Sequence, residues 1–293
     1  MIPVYNRASV IGRAVGSVLD QQFTDFELIV VDDGSTDDTC AGVEAIADPR
    51  IRLVRLESNR GSNAARNRGI EAATAPLVCF LDSDDVYLPH KLGTVVRFFE
   101  QRPQLDVLVD SFSKAYPSGD PHNLRRRTNP RIECSEEFAA ALFSRRLWKA
   151  TSAISVRRDA ALKVGAFDET LKRRQDFDFL VRLCNQARCA STDEVLWVKT
   201  WTPGAISDDP SSFIRATLEL CRRHPEYVKN PAYRPGLARD VTRHLGRMLG
   251  SGRVGRAARD FAALNRELGL ARLAALVVEG GGELWRRRTA RRQ

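Results

Sequence analysis

The sequence predicts an α/β fold: a mostly parallel sheet flanked by helices, followed by a basic helical extension. Three observations carry this. Short apolar runs alternate with helical patterns through the first hundred residues. Two of those runs, FELIVV at 26–31 and LVCFL at 77–81, are too short for a helix and too uniformly apolar for a surface strand. The charge is also divided: residues 213–293 hold 18 basic and 7 acidic side chains, leaving 28 and 30 for residues 1–212. We therefore expect two parts, 1–205 as the α/β domain and 206–293 as a helical extension.

The elements follow in order. Residues 2–5 are a brief apolar start. Val10, Ile11, Ala14, Val15, Val18 and Leu19 recur at helical spacing. The run at 26–31 reads as a buried strand, and 51–56, where apolar residues alternate with Arg, as a half-buried one. Ala- and Arg-rich 62–73 reads as helix, 77–81 as a second buried strand and 88–100 as helix. Segment 148–156 leads into another strand. Strands that alternate with helices imply right-handed crossovers and parallel pairing, and ligands then bind outside the carboxyl ends of the strands.

The acidic clusters fall at those ends. Asp32-Asp33-Gly34-Ser35 follows one buried strand and Asp82-Ser83-Asp84-Asp85 another. Each alone has two readings, a turn with a helix N-cap or a functional cluster. Carboxylates this dense repel one another unless a cation is present. Asp-x-Asp offers oxygen-only ligation suited to Mg²⁺ or Mn²⁺.

At 293 residues, 43% hydrophobic and net charge +9, the composition is that of a folded protein, with a near-neutral body that weighs against a nucleic-acid binder. Six cysteines without a C-x-x-C pair suggest reduced thiols in a cytosolic compartment. No apolar run approaches the roughly 20 residues of a spanning helix. The opening Met-Ile-Pro-Val-Tyr-Asn does not have the form of a secretory signal.

Five motifs in order, IPVYN (2–6), VDDGSTDDT (31–39), NRGSNAARNRGI (59–70), FLDSDD (80–85) and GAFDETLKRRQDFDFLVRL (165–183), resemble family 2 inverting glycosyltransferases of the GT-A fold over roughly residues 1–200. The resemblance implies a transferase that moves a sugar from a nucleotide diphosphate donor, of UDP type, to a glycan or lipid-linked hydroxyl with the help of a divalent cation. It also implies roles. Pro3 and Tyr5 would cradle the nucleotide base, and Asp33, with Asp32 beside it, would bond the base. Asn63, Arg66 and Asn67 match the helix that lines the donor site. Arg66 has a second reading, as the structural partner of a buried acid. Asp84 would touch the metal, and Asp82 the ribose or a metal-bound water. Asp176 matches the general base. It reads equally, with Asp178, as an acid favoured by a helix N-terminus, and the two readings are compatible. Thr151, Ser152 and Trp148 border the acceptor side. The alternatives are a sugar-nucleotidyltransferase, which would need a Gly-rich basic loop that Asn6-Arg7-Ala8-Ser9 does not supply, or a non-catalytic sugar-binding module.

The sequence also departs from the family pattern. The first strand usually begins upstream of the position of Met1, so a longer form is expected to be more stable. Gln175 stands where Glu often precedes the base. No Gln-x-x-Arg-Trp is present near Trp197, Lys199 and Trp201, which points away from processive synthesis. Segment 113–134, with Arg125-Arg126-Arg127, reads either as a flap over the site or as a solvated loop. In the tail, helical patterns at 213–223, 237–249, 254–268 and 270–287 are punctuated by Gly250, Gly252 and Gly280-Gly281-Gly282. Residues 285–293 hold five Arg. That end reads as a structural cap or as peripheral contact with the inner face of a membrane.

Overall fold

The computed structural model describes residues 1–115, 124–200 and 212–289. The chain divides into two compact units: Met1–Phe138 with Leu147–Pro203, and Ala139–Arg146 with Gly204–Gln293. A linear boundary at 205 leaves out the membership of 139–146 in the second unit.

In the first unit, β1 (Ile2–Val4) leads to α1 (Ile11–Leu19), which buries Ile11, Ala14, Val15 and Val18 along one stripe. Next come β2 (Leu28–Asp32), α2 (Thr39–Glu44), β3 (Ile51–Arg55) and α3 (Ser62–Ala72). All five residues of β2 are buried, as its apolar run requires, and β1–β2 and β2–β3 pair in parallel. The chain continues through β4 (Leu77–Cys79), β5 (Val86–Tyr87), α4 (Lys91–Gln101), β6 (Val107–Lys114) and β7 (Arg125–Arg127). After α5 (Ser135–Phe143) and a 3₁₀ turn at Thr151–Ala153 come β8 (Ile154–Arg157), α6 (Arg158–Lys163), α7 (Gln175–Cys184) and β9 (Cys189–Lys199).

The mostly parallel expectation holds for the first sheet and is corrected for the second. There β4–β8, β8–β6, β7–β6 and β5–β9 are antiparallel and only β6–β9 is parallel. β8 runs back against both of its neighbours, β4 and β6, and β5 and β7 return in the same sense against β9 and β6. The two sheets meet at Met1, whose ammonium donates to Cys79 O (2.6 Å) and whose carbonyl accepts from Leu81 N–H (3.0 Å). One residue bonded to two residues that flank its neighbour is the parallel pattern. Two reversals, at β8, restore direction. The carboxyl ends of β2, β1, β4, β6 and β9 therefore share one edge with the start of β8. Both acidic clusters lie on it, as expected from sequence.

Phe80, Phe167 and Phe179 form an aromatic cluster with centroids 4.2–6.3 Å apart, which packs α7 against the loop after β4. Lys91 of α4 and Asp110 of β6, both fully buried, form an ion pair. Burial pushes the Asp110 carboxyl up to about 7 against the pull of Lys91.

The second unit contains α8 (Phe213–Arg223), α9 (Glu226–Lys229), α10 (Arg234–Gly250), α11 (Val254–Leu268) and α12 (Leu270–Thr289). Residues 139–146 belong here because Phe143 stacks on Tyr233 at 4.2 Å and Arg145 pairs with Asp240 at 3.0 Å. The Gly280–Gly282 run does not interrupt the helix, contrary to its reading as punctuation. A Cβ on Gly280 would lie 2.4 Å from Ala238 O, so the glycine lets α12 approach α10. No described helix is long and apolar enough to cross a membrane. Trp201, segment 116–123 and the side chains from Trp285 onward lie outside the described residues.

Candidate functional site

The donor-side residues sit where β1 and β2 end. Pro3 is buried in β1 and Tyr5, just beyond, is 40% exposed. Asp33 is buried, and its two oxygens accept the Arg60 and Gly61 N–H groups at 2.8 Å each. Asp32 accepts the Ser35 N–H (3.1 Å). Burial, with a bond to Asp32, pushes the Cys40 thiol up to about 11. Both acids thus shape their own loops first. Carboxylates have further lone pairs, so ligand contact stays open to them. Gly34 has φ +75°, and a Cβ there would lie 2.8 Å from Ser58 C, so this turn requires glycine.

The loop after β4 holds three acids in different states. Asp82 accepts Arg66 Nη2 at 2.8 Å, with the guanidinium buried and the carboxylate about a quarter exposed. Arg66 also donates to Ser62 Oγ and Asn63 Oδ1 (3.1 Å each) and lies over Phe167. Of its two readings, the structural partner is the one the geometry displays. Asp85 is fully buried. It accepts from Ser152 Oγ (2.7 Å) and Thr200 N–H (3.1 Å), and burial, with Asp82 and Asp84 adding to it and Lys199 opposing, pushes its carboxyl up to about 7. Asp84 is half-buried, and no described group donates a hydrogen bond to its carboxylate. Arg13 reaches its backbone carbonyl instead (3.1 Å).

Ser152 is a correction. It is fully buried, accepts the Asp82 N–H (3.0 Å) and donates to Asp85, so it organises the acid loop rather than meeting an acceptor. Thr151 is also buried. Trp148 is 43% exposed and does stand at the surface, with the Arg127 guanidinium 4.7 Å above its ring. Its backbone is clasped by buried Asn129, which accepts the Trp148 N–H (2.6 Å) and donates to the Trp148 carbonyl (3.0 Å).

Asp176 lies in the first turn of α7, where its Oδ1 accepts the Phe177 N–H at 2.8 Å. Its Oδ2 accepts from Lys149 Nζ at 3.3 Å, and both side chains are mostly buried. Asp178 is buried and pairs with Arg182, one turn on, at 2.9 Å. Asn63 donates to the Asp168 and Leu171 carbonyls (2.8 Å each), so its N–H groups are committed to the loop ahead of Asp176 rather than to a donor. Asn67 bonds the same loop through Phe167.

Sequence reasoning missed Lys149, Asn129 and the role of Lys199. Burial works against the Lys199 ammonium, but Asp85, Asp82, Asp84 and Asp176 outweigh it and hold its pKa above the ordinary value. Lys149 and Asp176 are 27 positions apart with no periodic signal to join them. In the sequence Lys199 stood out only as a position in the region that does not match Gln-x-x-Arg-Trp.

The edge thus brings together carboxylates from two loops, an acid at a helix start and two lysines. The chain belongs to glycosyl transferase family 2, whose sequence profile matches residues 1–164. It is 46% identical over 96 residues to the succinoglycan biosynthesis protein ExoO of Rhizobium meliloti, covering 33% of this chain and 28% of that one. The chain spans about half the length of the curated relatives it matches. In fold it is similar to TarS of S. aureus in complex with UDP-GlcNAc, with TM-score 0.62 at 20% identity, covering 84% of this chain and 82% of that one. It is also similar to the mannosyltransferase PcManGT of Pyrobaculum calidifontis in complex with GDP-Man and Mn²⁺, with TM-score 0.59 at 18% identity, covering 97% and 79%. The GT-A architecture read from the motifs is therefore the fold of this chain.

Proposed function

We propose that the chain transfers a sugar from a nucleotide diphosphate donor, of UDP type, to a hydroxyl of a glycan or lipid-linked acceptor, with inversion. The observation that supports this most is the shared edge: donor-side acids after β2 and β4, and Asp176 at the start of α7, kept next to them by the Phe80–Phe167–Phe179 cluster. The neighbour in complex with UDP-GlcNAc supports the donor class, and ExoO's name, a succinoglycan biosynthesis protein, supports a place in polysaccharide biosynthesis.

Asp84 and Asp82 would hold a Mg²⁺ or Mn²⁺ ion. Among the described residues no three metal-ligating side chains converge. Such ions need only one or two carboxylates when phosphate oxygens and water complete the shell, so the donor set fits. When bound, the ion supplies Lewis-acid neutralisation of the leaving diphosphate. Arg66 orients Asp82 through its 2.8 Å contact. Tyr5, Pro3 and Asp33 frame the nucleotide base. Asp176 takes the acceptor hydroxyl proton on a carboxylate oxygen as the acceptor oxygen attacks the sugar C1 and the C1–O bond to the nucleotide diphosphate breaks, its electron pair leaving with the diphosphate; Trp148 borders the incoming acceptor. A single base opposite the leaving group gives one displacement and hence inversion.

The test is Asp176→Asn, which is isosteric but cannot accept the proton. Turnover should fall about 10²–10⁴-fold while donor binding persists. Near-full turnover in that variant with an authentic acceptor would move the base elsewhere.

A further inference from the structure

A row of side chains crosses the second sheet and ends at the surface. Trp197 of β9 stands directly opposite Phe112 of β6, and Phe112 directly opposite Arg127 of β7. Residues directly opposite each other project from the same face of a sheet. The buried rings of Trp197 and Phe112 stack with centroids 4.5 Å apart. At the outer end the Arg127 guanidinium lies 4.7 Å from the centre of the Trp148 ring. Two residues beyond Trp197, and so on the same face, Lys199 feels the charges of Asp85, Asp82, Asp84 and Asp176. The row that ends in Trp148 thus occupies the face of the sheet toward which the acids of the site gather.

Trp148 belongs to no helix or strand, yet it is held firmly. Asn129, 2% exposed, accepts its N–H at 2.6 Å and donates to its carbonyl at 3.0 Å. Asn129 is itself tied to β6, through Asp110 O and Ser111 Oγ at 2.8 Å each. With both backbone groups of Trp148 occupied, its 43% exposure falls mainly on the indole. Its chain neighbours do not extend that surface, since Leu147 is buried and Lys149 turns inward to Asp176. The exposed apolar surface is therefore one ring wide, fixed before any ligand arrives, and one residue from the partner of the proposed base. A surface fixed in advance costs little ordering on binding. A pyranose suits it: the weakly positive C–H groups of one sugar face match the negative face of an indole, and the hydroxyls stay at the rim. A lipid chain needs a longer apolar track. We propose that Trp148 is the platform on which a sugar ring of the acceptor stacks, so that the acceptor presents a saccharide at its reacting end, whatever anchors its other end. This deepens the transferase reading and rests on it for the role of Asp176.

The experiment is fluorine NMR on the full chain labelled with 5-fluorotryptophan, the Trp148 signal being assigned from Trp148→Phe. Samples with and without UDP and Mn²⁺ are titrated with methyl β-D-glucopyranoside, methyl β-D-galactopyranoside, methyl α-D-mannopyranoside, glycerol and farnesyl phosphate. At least one glycoside should shift the Trp148 signal, and glycerol and farnesyl phosphate should leave it in place. In calorimetry that glycoside should bind about tenfold more weakly to Trp148→Ala, the equivalent of one aromatic contact, and nearly normally to Trp148→Phe. Its affinity should not fall as salt rises, because stacking of a neutral sugar is not screened. The phenylalanine variant keeps a ring in place and so separates loss of the platform from damage to the fold. The platform is overturned if no glycoside shifts the signal more than glycerol or farnesyl phosphate does, if Trp148→Ala binds with undiminished affinity, or if both variants lose equally. Absence of UDP binding in the same samples overturns the donor reading instead, and leaves the platform to be judged on the nucleotide-free titrations.

Discussion

Asp82 and Asp84 are two residues apart and held in opposite ways. The Arg66 guanidinium bonds Asp82, whereas no described hydrogen-bond donor reaches the Asp84 carboxylate. The two acids should therefore fail differently. Asp84→Ala should leave the melting temperature unchanged and abolish the Mn²⁺ dependence of UDP affinity, as read by calorimetry. Asp82→Ala strands a buried guanidinium and should lower stability by about 1–3 kcal/mol in denaturant unfolding, in addition to weakening the donor. If both variants melted like the parent, the Arg66–Asp82 pair would have no structural role. The same logic applies to Ser152, whose hydroxyl joins Asp82 N–H to the buried Asp85 carboxyl. Ser152→Ala removes both bonds at once and leaves Asp85 short of a donor. It should cost roughly 1–3 kcal/mol and weaken Mn²⁺ binding without touching any ligand.

Element by element, the legible parts were those whose pattern is local. The uniform run of β2, the helical spacing of α1 and the acid pairs at strand ends each announce themselves within ten residues. The mixed second sheet did not, because strand direction depends on how a chain returns and not on its composition. Asn63 was assigned to the donor because it matches the family helix that lines the donor site, yet its amide is spent on the loop at 168–171. Lys149 was invisible because an ion pair across 27 residues leaves no periodicity. The glycine run in α12 was read as a break, because glycine weakens isolated helices. In place its first residue, Gly280, is the contact with α10. Gly280→Val should therefore separate α12 from α10 and lower the melting temperature, whereas Gly281→Ala, with open space around its Cβ position, should leave it unchanged or raise it.

For the whole molecule, buried acids set the pH response. Asp110 has a folded pKa of about 7, raised by burial from an ordinary value near 3.8. The folded state then holds a proton that the unfolded state has lost between those limits. Its contribution to stability is full below about pH 4 and falls as pH rises to 7, by at most about 1.4 kcal/mol per unit. Asp110→Asn should flatten that slope in denaturant titrations at pH 5 and 7. An unchanged slope would mean that Lys91 keeps the carboxylate charged throughout. The uneven charge of the chain gives a second response. With an excess of 11 positive charges from residue 213 on, the intact chain should co-sediment with anionic vesicles at low salt and release as salt rises. A chain ending at Gly282 should bind more weakly, and equal binding by both would assign the tail to packing alone.

Helix α3 touches both sides of the proposed reaction. Through Arg66 it grips Asp82, and through Asn63 and Asn67 it grips the loop that feeds Asp176. A single rigid strut therefore sets the gap between the acids that would hold the metal ion and the group that would receive the proton. Thermal motion can tilt the strut but hardly lengthen it, so the two ends move together rather than apart. Adding one residue within α3 would rotate everything beyond it by about 100° and put one grip out of reach of its partner. The consequence is that this span, far more than either end of it, resists drift: loops around the edge can change the sugar and the acceptor, while the gauge between bond breaking and bond making stays the same.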